Sequence, residues 1–326
     1  MKKKLNKLFL LIIVLAISIF SLMVIFISLF QAKDASDPKL SKFIIPRGQA
    51  ISIIGQNLKE EGFIRSSLAF RYAVKKNNLE DKIQSGSFEL SPSMTTWEIA
   101  TALTKGTDDL WITIPEGWRR EEIAASLAKQ DLSLFDEDEF LILTKGLEGQ
   151  LFPDTYLVSR ESSTKQIVSI LNNTFESKIL TGLSDEIESS DFTVNEILTL
   201  ASLIQRESSG ETEMPLVAGI LQNRLDIGMA LQVDASLQYI KGYSKTEDSW
   251  WPDPLAADKE LDSLYNTYKY NSLPPAPICN PGLAAVEAVL NPQETNALFY
   301  IHDNSAKIHT AETLEGHNRN VNEYLR

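Results

Sequence analysis

Phe43-Ile44-Ile45-Pro46-Arg47-Gly48, followed by apolar residues at Ile51, Ile54 and Leu58, sets the pattern of the chain. The pattern returns 69 residues later as Ile112-Thr113-Ile114-Pro115-Glu116-Gly117 with Ile123 and Leu127. Ile45/Ile114, Gly48/Gly117, Ile54/Ile123 and Leu58/Leu127 align across the two copies. β-Branched residues favour a strand, Pro and Gly a turn, and apolar residues three and four apart one helix face. A strand–turn–helix unit used twice, among further helices, predicts an α+β fold. Two copies cannot form a solenoid, so this is a local duplication.

Between the copies, Ser87 to Leu90 reads as a strand and Thr96 to Leu103 as a helix closing at Gly106. Upstream, Gln31 to Ser41 is polar and reads as a linker. Before it, Leu8 to Phe30 is uncharged and apolar apart from Ser18, Ser21 and Ser28. A helix of about 20 residues crosses a bilayer core, so this run is long enough to span. Lys2, Lys3, Lys4 and Lys7 precede it, and Lys/Arg stay on the cytoplasmic side. The expectation is a single transmembrane helix with the N-terminus inside and everything after Gln31 outside. A cleaved signal peptide is the competing reading, but its apolar region runs to only about 7–15 residues.

The 326 residues are 43% hydrophobic and 23% charged, values of a globular chain rather than a disordered or polytopic one. The formal charge is −13, and the first 31 residues hold four Lys and no acid, so the remainder is more acidic still. Such a body lacks the cationic field that nucleic acid requires, and no nucleic-acid partner is expected. Cys279 is the single cysteine and His302, His309 and His317 the three histidines, at spacings unlike those of zinc ligands. No metal site and no cofactor are expected. Ser36-x-x-Lys39 and Ser162-x-x-Lys165 fit a penicillin-binding pattern, but the motifs that accompany it are missing.

Beyond Phe135 the pattern shifts to longer helices and Pro/Asn-rich loops. Leu147 to Tyr156 reads as a loop, Gln166 to Leu180 as a helix, and Thr193-Val194-Asn195-Glu196 as a capping box opening a helix that runs to Glu207. Pro215 starts the next helix, which Gly228 stops. Asp248 to Pro281 is irregular, Leu283 to Leu290 a short helix, Leu298 to His302 a strand and Asn318 to Leu325 a terminal helix.

Glu207 is the first catalytic candidate. It projects from the side of its helix that carries Leu200, Leu203 and Ile204, at the end where carbonyl dipoles disfavour negative charge. Both effects raise a carboxyl pKa, which suits a general acid acting on a glycosidic bond. A carboxylate reaching to water, or paired with Arg206 or Arg224, is the competing reading. Gln232 and Asp234 follow a Gly-terminated helix and read as loop residues able to bind sugar hydroxyls. Tyr265-Asn266-Thr267-Tyr268 mixes rings and hydrogen-bonding groups as sugar clefts do, or serves as core and turn residues.

Phe43-x-Ile45-x-x-Gly48-Gln49-x-Ile51-x-x-Ile54-Gly55 resembles a LysM module, with Gln49 in place of the usual Asp. Every match is also a packing position, so sugar binding by this unit stays open. The whole chain resembles the endolytic murein transglycosylase (YceG-like) family. The matching segments are Ile114-Pro115-Glu116-Gly117, Leu147-Glu148-Gly149 with Leu151 to Tyr156, Leu200 to Ser208, Asn223-Arg224-Leu225, Gly228-Met229 and Leu231-Gln232-x-Asp234. Tyr265 to Tyr268, Leu273 to Gly282, Ala288 to Pro292 and His317-Asn318 complete them. Gln205 stands where many relatives carry Glu, Asn271-Ser272 replaces a Gly-containing step, and Lys307-Ile308-His309 alters a His-containing segment.

The resemblance implies a cytoplasmic tip and anchor at 1–31, a linker at 32–41, a small LysM-like α+β subdomain at 42–110 and a larger mixed α/β catalytic domain at 111–326. It implies a lyase that cleaves MurNAc-β-1,4-GlcNAc bonds of nascent glycan strands and leaves 1,6-anhydro-MurNAc ends. Glu207 would be the catalytic acid, with Gln232, Asp234, Tyr265, Asn266, Thr267 and Asn280 binding substrate. Peptidoglycan strands would be the partner, with peptidoglycan synthases or division proteins as further contacts. A non-catalytic scaffold that binds peptidoglycan or division proteins, and a water-using glycosidase, are the rival readings.

Overall fold

The computed structural model describes residues 2–105 and 109–326, with side-chain environments from Ile13 onward. The chain divides into two compact units, Met1–Trp111 with Leu157–Arg160, and Ile112–Tyr156 with Glu161–Arg326.

In the smaller unit, helix α1 (Lys2–Ser28) precedes strand β1 (Ser41–Ile45), helices α2 (Ile51–Glu60) and α3 (Ser67–Lys76), strand β2 (Gly86–Leu90) and helix α4 (Thr96–Ala102). The two strands pair antiparallel, with Phe43 opposite Phe88 and Ile45 opposite Gly86. Phe43, Ile45, Ile54, Leu58, Phe70, Val74, Leu90 and Ile99 form the core beneath them. Helix α3, absent from the sequence expectation, starts where the Ser66 side chain accepts from the Ala69 N–H. α4 begins with a Thr95/Glu98 capping box; its expected stop at Gly106 lies outside the described residues. Among the described residues no helix is long and apolar enough to cross a membrane. Of α1, the Lys2, Lys3, Lys4 and Lys7 side chains and the apolar run up to Ile12 lie outside that description. From Ile13 to Ile27 its large apolar side chains are exposed, and Phe30 just beyond it is buried.

The larger unit takes in the end of β3 (Asp109–Thr113) and the start of β4 (Thr155–Ser159), where Ile114 N–H donates to Asp154 O at 2.9 Å. Its helices are α5 (Arg120–Leu127), α6 (Glu137–Leu143), α7 (Thr164–Phe175), α8 (Ser184–Glu188), α9 (Val194–Glu207), α10 (Met214–Asp226), α11 (Asp234–Lys241) and α12 (Leu283–Leu290). A hairpin of β5 (Phe299–His302) and β6 (Ile308–Ala311) and the terminal α13 (Leu314–Tyr324) complete it. Helix α9 is the hub. It packs against α10, α11 and α12, and every residue from Ile197 to Ile204 is buried.

The duplicated pattern takes the same form in both units. Gly48 and Gly117 hold φ of +75° and +74°, a left-handed turn that glycine adopts without strain. Ile45, Ile114, Ile54, Ile123, Leu58 and Leu127 are all buried.

Elsewhere the structure departs from expectation. The single helix expected over Gln166 to Leu180 is α7 followed by a wider π-helical turn, Glu176–Thr181. Phe175, Ile179 and Leu183, which flank and occupy that turn, are buried in one core. Gln232 and Asp234 do not share a loop, because Asp234 opens α11, an eight-residue helix too short to show a periodicity. The loop expected to Tyr156 gives way to β4 at Thr155, and α13 begins at Leu314 rather than Asn318.

Candidate active site

Helix α9 carries the candidate acid at its last position. Its start is fixed by the Thr193/Glu196 capping box, in which Glu196 Oε2 accepts from the Thr193 N–H at 2.8 Å. Its end is fixed by extended backbone at Ser208, whose N–H still donates to Ile204 O at 3.0 Å. Glu207 therefore leaves a fully packed helix and points into a cavity of about 410 Å³.

Protein surrounds the Glu207 carboxyl except where it faces that cavity. Burial pushes its pKa above the usual carboxylate range, and the nearby charge of Asp234 adds to the rise. Three groups act the other way. The Tyr300 hydroxyl donates to Oε2 at 2.7 Å, the Ala235 N–H donates from the first turn of α11, and His302 adds positive potential. The carboxyl thus lies between the negative end of α9 and the positive end of α11. A carboxyl whose protonated form desolvation favours, yet which has donors ready once it ionises, is suited to give up a proton and recover it.

The cavity wall supplies the remaining chemistry. Asp234 accepts from the Tyr268 hydroxyl at 2.6 Å, and the Lys259 ammonium sits 4.4 Å from the Tyr268 ring centroid. Arg224 is buried, with its Nε bonded to Leu298 O at 2.6 Å and its guanidinium over the Phe299 ring at 5.5 Å. It does not pair with Glu207 directly; its cation contributes potential to the cavity. Gln232 reaches the wall from a backbone at φ +53°, with its N–H held by Thr267 O at 2.9 Å. His317 also lines the cavity, and its Nδ1 is buried without a hydrogen-bond partner among the described residues. Burial lowers the His317 pKa, so the ring is neutral at neutral pH and can accept or donate.

The structure thus brings Gln232 and Asp234 to Glu207, while Asn266, Thr267 and Asn280 lie outside the lining of that cavity. All three are fully buried. Asn266 Nδ2 donates to Lys259 O at 3.0 Å and Leu261 O at 2.8 Å, fixing the loop that presents Lys259. Thr267 Oγ1 accepts from the Val233 N–H at 2.9 Å, fixing the segment between Gln232 and Asp234. Asn280 Oδ1 accepts from the N–H groups of Gly149 and Leu151, both at 2.9 Å, while its Nδ2 donates to Trp118 O and to Glu148. Their polar atoms are engaged within the protein, and none of the three is among the residues lining the cavity. Tyr265 packs against Tyr239 at 4.9 Å between ring centroids and is likewise absent from the cavity lining.

Sequence reasoning passed over Tyr300, Lys259 and Phe299. Tyr300 stood within the expected strand from Leu298 to His302, but nothing local announces a bond to a residue 93 positions away. The Gln205 departure has a physical basis. Its amide donates to Glu116 Oε2 at 3.3 Å and accepts from the Gly282 N–H at 2.9 Å, roles that an ionised carboxylate could not both fill.

Residues 43–323 match the model of the YceG-like family. An endolytic murein transglycosylase of Bacillus subtilis is 30% identical over 326 residues, covering 91% of this chain and 88% of that protein. An endolytic murein transglycosylase of Streptococcus pneumoniae is 29% identical over 331 residues and covers 90% of this chain. The chain spans about 60% of the length of that relative. The crystal structure of a YceG-like protein from Listeria monocytogenes has a TM-score of 0.56 at 29% identity, covering 86% of this chain and 99% of that one.

Proposed function

The chain belongs to the YceG-like family, and from that premise we propose that it is an endolytic lytic transglycosylase acting on peptidoglycan glycan strands. The observation that carries the reading is Glu207, a carboxyl raised in pKa by burial at the wall of a polar cavity. Glu207 protonates the oxygen bridging MurNAc and GlcNAc as the C1–O bond breaks. The C6 hydroxyl of the same MurNAc then closes on C1 and returns its proton to the Glu207 carboxylate, leaving a 1,6-anhydro end. No water is consumed, so the reaction is an elimination of lyase type. Asp234 supplies negative charge that favours the oxocarbenium-like state, and Gln232 and His317 offer hydrogen bonds to the sugar.

We also assign α1 as a single membrane anchor with its N-terminus in the cytoplasm, which makes the chain a cytoplasmic-membrane protein with its remainder outside. The uncharged run Leu8–Phe30 behind four lysines supports this, as do the exposed apolar side chains from Ile13 to Ile27. The smaller unit is read as LysM-like on the burial of Phe43, Ile45 and Ile54 at the pattern's apolar positions. Anchored there, the enzyme would meet new strands near their point of synthesis and end their elongation, within reach of peptidoglycan synthases and division proteins.

One observation favours a second reading. Asp234 is a carboxylate facing the same cavity, and a water-activating base in that position would make a hydrolase. Mass spectrometry of products from purified glycan strands separates the two. Anhydro-MurNAc ends support the transglycosylase, reducing ends support the hydrolase, and binding without cleavage supports a scaffold.

A further inference from the structure

Helix α3 has two faces. Ala69, Phe70, Ala73 and Val74 enter the core, while Leu68, Arg71, Tyr72, Lys75 and Lys76 face outward at helical spacings of three and four. Leu68 is 71% exposed and Tyr72 48%. Arg71, Lys75 and Lys76 form no ion pair among the described residues. Beside this face opens a cavity of about 580 Å³ whose lining includes Ile51, Leu68, Arg71, Tyr72, Lys75 and Glu80, two cations against one carboxylate.

The location of this face selects its occupant. The Tyr72 ring centroid lies 6.1 Å from that of Phe26 and 5.7 Å from that of Phe30, and Phe30 stacks on Trp97 at 5.2 Å. Phe26 is in the last two turns of α1, so the cationic face continues from the outer end of the apolar helix. Aromatic rings concentrate at the headgroup level of a bilayer, and cations around an exposed apolar residue are what an interfacial helix presents to anionic lipid. We propose that the outer face of α3 is a docking surface for anionic phospholipid headgroups, with Arg71 and Lys75 on the phosphate and Leu68 and Tyr72 at the acyl boundary. The proposal rests on the reading of α1 as a membrane anchor. It gives the smaller unit a second attachment to the leaflet, so that the unit lies on the membrane surface instead of swinging on the anchor.

The test uses the full chain in lipid nanodiscs. Cys279 is fully buried, so a fluorophore attaches selectively to Leu68→Cys or to Val24→Cys. Quenching by nitroxide-labelled lipid at position 24 tests the anchor separately. With that established, the label at position 68 should be quenched in discs rich in phosphatidylglycerol. Quenching should fall at least about twofold in phosphatidylcholine discs, and by a similar factor when Arg71→Glu and Lys75→Glu are added. Both charge reversals are at exposed positions, and circular dichroism would verify that the fold is kept. No quenching at position 68 alongside strong quenching at 24 would overturn the proposal. Equal quenching in the two lipids, or indifference to the charge reversals, would overturn its anionic specificity.

Discussion

The Tyr300 hydroxyl donates to Glu207 Oε2 at 2.7 Å, joining the hairpin strand β5 to the last residue of α9. The bond favours the ionised carboxyl and so opposes the desolvation that favours its protonated form. Tyr300 is therefore a positioning residue that also sets how readily the acid ionises and recovers its proton.

Tyr300→Phe should raise the Glu207 pKa further. Because the first step needs the protonated acid, activity is present below that pKa and lost as pH rises through it. The alkaline limb of kcat/KM should move to higher pH, and turnover should fall about tenfold as the carboxyl loses its orientation. A purely structural role for Tyr300 would lower activity without moving the limb.

Asp234→Asn should shift the same limb in the opposite direction. The charge of Asp234 raises the Glu207 pKa, so its removal lowers that pKa and the alkaline limb moves to lower pH. The amide oxygen can still accept from Tyr268, which preserves the wall. A pH–rate profile on glycan strands checks both variants. Limbs moving together would contradict the electrostatics described here.

Glu148 marks a pH effect on stability away from the cavity. Burial, followed by the charge of Glu121, pushes its carboxyl from 4.5 up to about 8. Between those values the unfolded chain releases the proton that the folded chain retains, so stability falls as pH rises from about 4.5 to 8. Glu148→Gln keeps an acceptor for Asn280 Nδ2 and the Arg120 N–H and removes the titration. The urea midpoint of the variant, relative to the parent, should climb between pH 5 and pH 8. A constant difference would show that Glu148 ionises normally.

Phe152 belongs to the core around α9, and its truncation acts on the fold before it acts on chemistry. Phe152→Ala should cost about 3–5 kcal/mol, a large part of a domain's stability. Thermal unfolding should reveal this as early melting. A variant that melts normally but is inactive would contradict the assignment.

What the sequence made legible was local. The capping box at Thr193 and the burial stripe to Ile204 define α9 and place Glu207 at its end, and the paired turns at Gly48 and Gly117 were visible as a repeat. What escaped it was the identity of distant partners. Asn266, Thr267 and Asn280 have the side chains of sugar binders, and only the folded chain shows their polar atoms bonded within the protein, Thr267 and Asn280 to segments far along the sequence. Short helices such as α6 and α11 span too few turns to reveal a face. The helix after Ser163 conceals a π turn because the residue types around Phe175 carry no sign of it.

The most direct test of the account is the infrared difference spectrum, at neutral pH, between the parent chain and Glu207→Gln. Glu148 contributes equally to both and cancels. The account predicts a protonated carboxyl band present in the parent and lost in the variant, with anhydro product formation lost alongside it. A parent spectrum in which Glu207 contributes only carboxylate bands would contradict it.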